Sequence, residues 1–309
     1  MQALIDVILP VFLVVAAGYL AAWRGWISEA GVDGLMKFAQ GIAIPVLLFM
    51  ALTRLDLGAV FDWRLLLSFY AGALSGFLAG LFGARFLFGR GWEDAVAVGF
   101  VGMFSNSVLL GLAISERAWG ADSLGPNFAI IALHAPFCYL TGILVMEGVR
   151  AQGAGLGRTA LRVLRGMGTN PIVIGIGLGA LVNLSGLALP GAVADAGDLI
   201  ARAGLPAALF GLGGVLHRYR PDGDLRLIGF LVAVSLALHP AVTFTLGRAL
   251  GLADGPLRAA VLTAAMAPGV NAYLFADLYG RARRIAASSV LVATLLCIVT
   301  AWLWLGLLP

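Results

Sequence analysis

The stretch "AAMAPGVNAYLFADLYG", residues 264–280, has the apolar content of a membrane helix but carries Pro268, Gly269 and Asn271 at its centre. Proline in a helix interior removes a hydrogen bond and clashes with the preceding turn, at a cost of about 3 kcal/mol. In lipid the freed carbonyls find no water, so such a break persists only where protein or a wet cavity surrounds it. Beyond Pro268-Gly269 the helix must restart, and its new first turn exposes unpaired N–H groups with partial positive charge. Asn271 is suited to that restart, as a cap or as an amide facing a ligand.

The composition makes a membrane setting necessary. Of 309 residues 61% are hydrophobic and 12% charged, and the mean hydropathy is +0.98; too little polar surface is available to cover a soluble domain. The net charge of +4 comes mostly from arginine in short joins, where it orients helices, and not from a nucleic-acid surface. No Lys or Arg precedes the first apolar run, which reads as a retained helix and not as a cleaved signal. Cys138 and Cys297 lie inside apolar segments, where core packing is favoured over a disulfide or metal site.

A bilayer needs about 20 apolar residues per helix. Apolar runs between charged or Gly/Pro-rich breaks predict ten spans, at 4–23, 33–53, 64–88, 94–115, 126–149, 171–189, 197–216, 226–250, 257–279 and 285–308. Fourteen of the 20 Lys and Arg fall on one side of this arrangement, so the positive-inside rule puts both termini outside and the longest cytoplasmic connector at 150–170.

The two halves, 1–150 and 171–309 about a connector at 151–170, echo each other. Pro45 and Phe49 pair with Pro206 and Phe210 at an offset of 161, Arg64 with Arg226 at 162, Arg85 with Arg248 at 163 and Asn106 with Asn271 at 165. Five spans per half is an odd number, so the second half enters the membrane inverted. Inverted halves supply two nearly equivalent states, one open to each side, which is the physical basis of alternating access.

The fourth span repeats the chemistry of the ninth. "MFSNSVLLG" places Ser105, Asn106 and Ser107, all good capping residues, in an apolar run. Two restarted half-helices with facing N-termini and two amides form an anion site, suited to a carboxylate, without a buried lysine. The competing reading is structural: Gly and Pro are common in membrane helices, and Ser or Asn bridges neighbours. Pro45 and Pro206 read equally as hinges or fixed kinks. His134 and His239 lie within spans beside prolines, each a candidate for a substrate or proton role or a donor to a carbonyl freed at a kink. Asp6, Glu147 and Asp277 fall near span ends. No acid pair sits at mid-membrane, and no hydrolase elbow, metal-ligand cluster or phosphate-binding loop occurs, which argues against an enzyme or an ATP-driven pump.

Taken together, "ILPVFLVVAAGYLAAWRGWI", "IPVLLF", "NPIVIGIGLG", "LPAALFGLGGVL" and "AAMAPGVNAYLFADLYG" resemble the auxin efflux carrier family, which includes plant PIN-type carriers and bacterial malonate or organic-acid transporters. With its short central connector the chain looks like a bacterial member. The resemblance implies ten helices in two inverted five-helix repeats, a scaffold and a transport domain, fourth and ninth helices that cross as broken helices, and an elevator movement. It carries Asn106, Asn271 and Pro268 over to the family's crossing, near which a substrate carboxylate lies; from the residues themselves Ser105, Ser107, Gly269 and His134 join them as candidate substrate-binding groups. Met103 or Phe104 stands where a matching proline would fall in the fourth helix, Ala113 where the family often has Pro, and Ser107-Val108 replaces a small Thr-Gly pair, so a softer first break is expected. The function implied is secondary transport of a small organic carboxylate, malonate-like or an auxin-like weak acid, across a bacterial inner membrane. H+ or Na+ is the coupling ion left open, no cofactor is called for, and a homodimer is suggested by analogy. A sodium-coupled symporter resembling bile-acid transporters and a membrane sensor on a carrier fold are the alternatives.

Overall fold

The computed structural model describes residue 2 and residues 4–55, 62–150 and 168–309, all helix, turn and short extended segments. The central connector, at 151–167, lies outside the described residues. We number the helices α1 Leu4–Trp23, α2 Glu29–Thr53, α3 Trp63–Leu87, α4 Trp92–Met103, α5 107–119, α6 Ala121–Arg150, α7 Pro171–Ser185, α8 Gly191–His217, α9 Leu225–Ala249, α10 Asp254–Ala264, α11 Val270–Tyr279 and α12 Arg283–Leu307. Seven of these (α1, α2, α3, α6, α8, α9 and α12) are long and apolar enough to cross a membrane, and α7 is a shorter apolar helix. The remaining apolar length lies in two interrupted pairs, α4 with α5 and α10 with α11.

Polar residues set the helix starts. Ser28 caps α2, Asp62 caps α3, Asn170 caps α7 and Asp224 caps α9, each accepting an N–H of the first turn. Asp62 and Asp224 precede Arg64 and Arg226 by the same two residues, so the echo between the halves extends to how these helices begin. The predicted spans differ most around residue 190. Gly186, left-handed at φ 67°, ends α7 at Ser185 instead of 189. From Pro190 onward α8 then starts six residues before the predicted 197, and just beyond this added turn Asp198 pairs with Arg54 at 2.8 Å.

Three prolines are accommodated by π-type turns. These occupy Leu4–Ile8, Ala39–Ala43 and Val234–Leu238, each ending two residues before Pro10, Pro45 or Pro240. The widened turn bonds Ile44 N–H to the Ala39 carbonyl and His239 N–H to that of Val234. This register relieves the crowding between the proline ring and the preceding turn. Pro206 instead lies within uninterrupted α8.

The chain forms two compact units, each drawing on both halves of the sequence. One comprises Met1–Ile8, Asp62–Leu164 and Tyr219–Pro309, the other Leu9–Phe61 and Arg165–Arg218. In the larger unit Leu65, Phe69, Ile130, Leu257, Val261 and Ala264 form a buried cluster. Because lipid is as apolar as these side chains, close packing holds such helices together. Thus α3 meets α4 backbone to backbone, a Cβ at Gly102 reaching the Gly76 carbonyl at 2.6 Å. In the smaller unit a Cβ at Gly213 would meet Val15 and one at Gly18 would meet Phe210, so α1 and α8 pack as closely.

Candidate functional site

Within the larger unit the two interruptions are built against each other. Helix α4 ends at Met103, and Phe104 and Asn106 take up non-helical geometry (φ −88°, ψ 85° and φ −77°, ψ 65°) before α5 begins. Helix α10 ends at Ala264, and Gly269 is extended (φ −73°, ψ 164°) before α11. Ser105 and Pro268 sit opposite one another as an antiparallel bridge. Its hydrogen bonds run from Asn106 N–H to the Ala267 carbonyl at 2.8 Å and from Gly269 N–H to the Phe104 carbonyl at 2.9 Å. The pairing asks no N–H of Pro268, which has none. Backbone groups freed by one break are satisfied by the other, which meets the demand that lipid imposes.

The first break is therefore as complete as the second, and the softer interruption expected from the missing proline is not what the chain forms. Local polar groups do the work instead. Asn106 Oδ1 accepts Leu109 N–H at 3.2 Å and caps α5, and Ser107 N–H donates to the Ser105 carbonyl at 2.8 Å. The first turn of α5, Ser107–Gly111, is π-type, with Gly111 N–H on the Asn106 carbonyl at 3.0 Å.

Asn271 has a different place. It is the second residue of α11, and Gly269 ahead of it provides no side-chain cap. Tyr139 Oη donates to Asn271 Oδ1 at 3.3 Å, which leaves the amide N–H groups directed elsewhere. Around this pair stands an aromatic wall. Phe100 stacks on Phe275 at 3.9 Å and 3°, with Tyr139 5.3 Å from Phe100 and Phe104 6.0 Å from Tyr139.

His134, 2% exposed, points Nε2 at the Ser105 carbonyl at 3.1 Å. A carbonyl only accepts, so Nε2 carries the proton, while Nδ1 faces Cys138 Sγ at 3.8 Å. The ring packs on Phe104 and Phe69 at 4.7 and 5.5 Å. His239 also packs against Phe69, at 5.4 Å, and among the described residues its Nε2 is buried without a hydrogen-bond partner, as is Ser105 Oγ. Both cysteines are free and buried, Cys297 Sγ lying 3.7 Å from the Ala265 carbonyl behind the second break.

The structure thus brings Ser105, Asn106, Ser107, His134, Pro268, Gly269 and Asn271 into one unit around one backbone crossing. Pro45 and Pro206 belong to the other unit, in α2 and α8. Tyr139 and the Phe100 and Phe275 rings were not singled out from the sequence, and Phe104 was noted only as standing where a proline would fall. A tyrosine in mid-span, with a polar tip that needs a partner, was the available signal.

The family model described as "Membrane transport protein" matches residues 3–155 and 158–305. The chain belongs to this family. It is the auxin efflux carrier family that the sequence motifs resemble, and its members are transporters, not enzymes. Among similar family proteins, the Escherichia coli K12 protein named "Uncharacterized transporter YfdV" is 26% identical over 302 residues, 96% of this chain and 95% of that one. A Rhizobium meliloti protein named "Putative malonate transporter" is 26% identical over 310 residues, 97% of this chain and 94% of its own. A Methanothermobacter thermautotrophicus protein named "Uncharacterized transporter" is 29% identical over 123 residues, 38% of this chain and 39% of its own. With seven long apolar helices among the described residues, this family member is a multi-pass membrane transporter.

Proposed function

We propose that the chain is a secondary carrier of a small organic carboxylate, malonate-like or an auxin-like weak acid. The observation that carries this reading is the crossing itself, two interrupted helices paired through Ser105 and Pro268 with an asparagine at each restart. Two half-helix N-termini and two amides supply N–H donors and partial positive charge at one point, which suits a carboxylate without a permanent buried cation. Ser105, Ser107, Gly269 and His134 border that point. The name of the Rhizobium meliloti relative agrees with this substrate class.

In this proposal ten spans form two inverted five-helix repeats, with α4–α5 and α10–α11 as the fourth and ninth. The larger unit carries the site and moves as an elevator against the smaller one, which serves as the scaffold and as the surface for a homodimer. The protein lies in the bacterial inner membrane with both termini outside. Transport needs no covalent chemistry, only differential exposure of one site to the two sides.

The test is a thermal-shift screen of the purified protein with small mono- and dicarboxylates, with and without sodium, at pH 5.5 and 7.5. A ligand at a hundredfold excess over its dissociation constant adds about 2.7 kcal/mol to apparent stability. Stabilisation by malonate that disappears in Asn271→Ala supports substrate class and site together, and its sodium or pH dependence names the coupling ion. Malonate binding unchanged in Asn271→Ala refutes the site, and silence toward every carboxylate refutes the substrate class.

A further inference from the structure

The ends of the half-helices remote from the crossing are gripped by two arginine contacts that repeat across the halves. At one, Arg150 at the end of α6 donates Nε to Glu93 Oε2 at 3.0 Å, where Arg281 Nε also donates at 3.0 Å. A terminal nitrogen of Arg150 donates to the Tyr279 carbonyl at 3.2 Å, and its guanidinium lies 4.8 Å from the centre of the Tyr279 ring. Glu93 lies in the first turn of α4 and Tyr279 ends α11. At the other, Arg258 in the first turns of α10 donates Nε to the Pro309 carbonyl at 2.6 Å, beyond the end of α12. Its guanidinium lies 5.7 Å from the ring of Trp119, which ends α5.

These contacts correspond part by part. Glu93 and Arg258 are 165 residues apart, the offset that relates Asn106 to Asn271, and Trp119 and Tyr279 are 160 apart. The charge at the helix start is reversed while the construction is kept: a helix start is bonded to the end of the following full-length helix, with an arginine on the aromatic residue that closes a half-helix. In both places that half-helix is one whose N-terminus faces the crossing. A guanidinium at the helix C-terminus is favoured by the dipole, and Arg150 also satisfies a carbonyl that the end of α11 leaves unpaired. Partial burial, with Glu93 28% and Arg150 27% exposed, reduces screening by solvent.

We infer that Glu93, Arg150 and Tyr279 at one end, and Arg258 and Trp119 at the other, are positioning residues that hold α11 and α5 so that their N-termini stay aimed at the crossing. A half-helix of 10 residues behaves as a short rigid lever, so freedom at its outer end is passed to its inner end. This inference rests on the carboxylate reading only for its effect on affinity; its effect on the backbone is independent of any ligand.

The experiment uses the full-length protein in nanodiscs, with backbone hydrogen exchange and malonate affinity as paired readouts. Tyr279→Leu and Arg150→Ala speed exchange at 270–272, the far end of α11 from the substitutions, and raise the malonate Kd by about tenfold, the size of a strong helix-terminus interaction. Tyr279→Phe keeps the ring and loses only the hydroxyl that faces Glu147, and it leaves exchange at 270–272 as in wild type. At the other end Trp119→Leu speeds exchange at 107–109, and Trp119→Phe does not. Faster exchange confined to 276–281 or 116–119, with the inner ends unchanged, overturns the inference by reducing the contacts to local anchors. Wild-type protein that binds no malonate would count against the proposed substrate, while the exchange pattern would still decide the positioning role.

Discussion

Asn106 and Asn271 are the same residue at matched positions, yet they do different work. Asn106 spends its side-chain oxygen on the Leu109 N–H as a helix cap, whereas Asn271 sits one residue inside an uncapped start with its oxygen held by Tyr139. Asn106→Ala should therefore lose about 1 kcal/mol of stability, and Asn106→Ser should retain it, because serine caps as well as asparagine; thermal melts of the two variants check this. His134 faces a backbone carbonyl, which favours the kink-donor reading over direct ligation of substrate. His134→Gln keeps a donor and should melt near wild type, whereas His134→Ala should lose about 1 kcal/mol or more for the bond and the void. Outside the membrane, Asp224 caps α9. The Leu227 N–H, against an opposing effect of burial, and then Arg90 and the Arg226 N–H hold its carboxyl below the ordinary 3.8. Its folded value lies below the unfolded one, so its stabilisation is complete above about pH 4 and is lost as pH falls through the folded value. Melting temperature should fall more steeply below about pH 4 in wild type than in Asp224→Asn, which lacks the titrating group; equal slopes would remove Asp224 from the acid response.

Among the elements, the two breaks show how tertiary pairing replaces local sequence signals. Pro268 announces the second break, but nothing as strong marks the first, where Phe104 and Asn106 leave helical geometry because Gly269 and Ala267 offer them partners. Residues that appear unremarkable singly are forced out of the helix by the segment opposite. Prolines also mislead in the other direction: Pro45 and Pro240 follow π-type turns without ending their helices, and Pro206 leaves α8 continuous. The contact of α3 with α4 depends on the absence of side chains at Gly76 and Gly102. Gly102→Leu should destabilise by about 1–3 kcal/mol through overpacking, whereas Gly34→Ala, whose Cβ meets nothing within 4 Å among the described residues, should lose nothing and gain up to about 1 kcal/mol from helix propensity. Equal losses in the two variants would contradict backbone-to-backbone packing.

For the whole molecule, alternating access predicts that one residue at the crossing is reachable from each side in turn. In a Cys138→Ala, Cys297→Ala background, Ser107→Cys should react with an impermeant thiol reagent applied to either face of oriented vesicles, and malonate should protect it. Reaction from one face only, under every condition, would argue for a sensor or a one-sided binding protein instead of a carrier.

The sequence by itself determined that the chain is a helical membrane protein, where most of its helices lie and which asparagines stand at the interruptions. These follow from hydropathy, helix-breaking chemistry and repeated spacing, all of which act over a few residues or recur at a fixed offset. Only the tertiary structure decided that the two interruptions pair with each other, that Tyr139 holds Asn271, that His134 serves a backbone carbonyl and that each compact unit mixes both halves. The physical reason is that a backbone group freed inside a membrane must find a partner, and in this chain that partner lies more than a hundred residues away along the sequence.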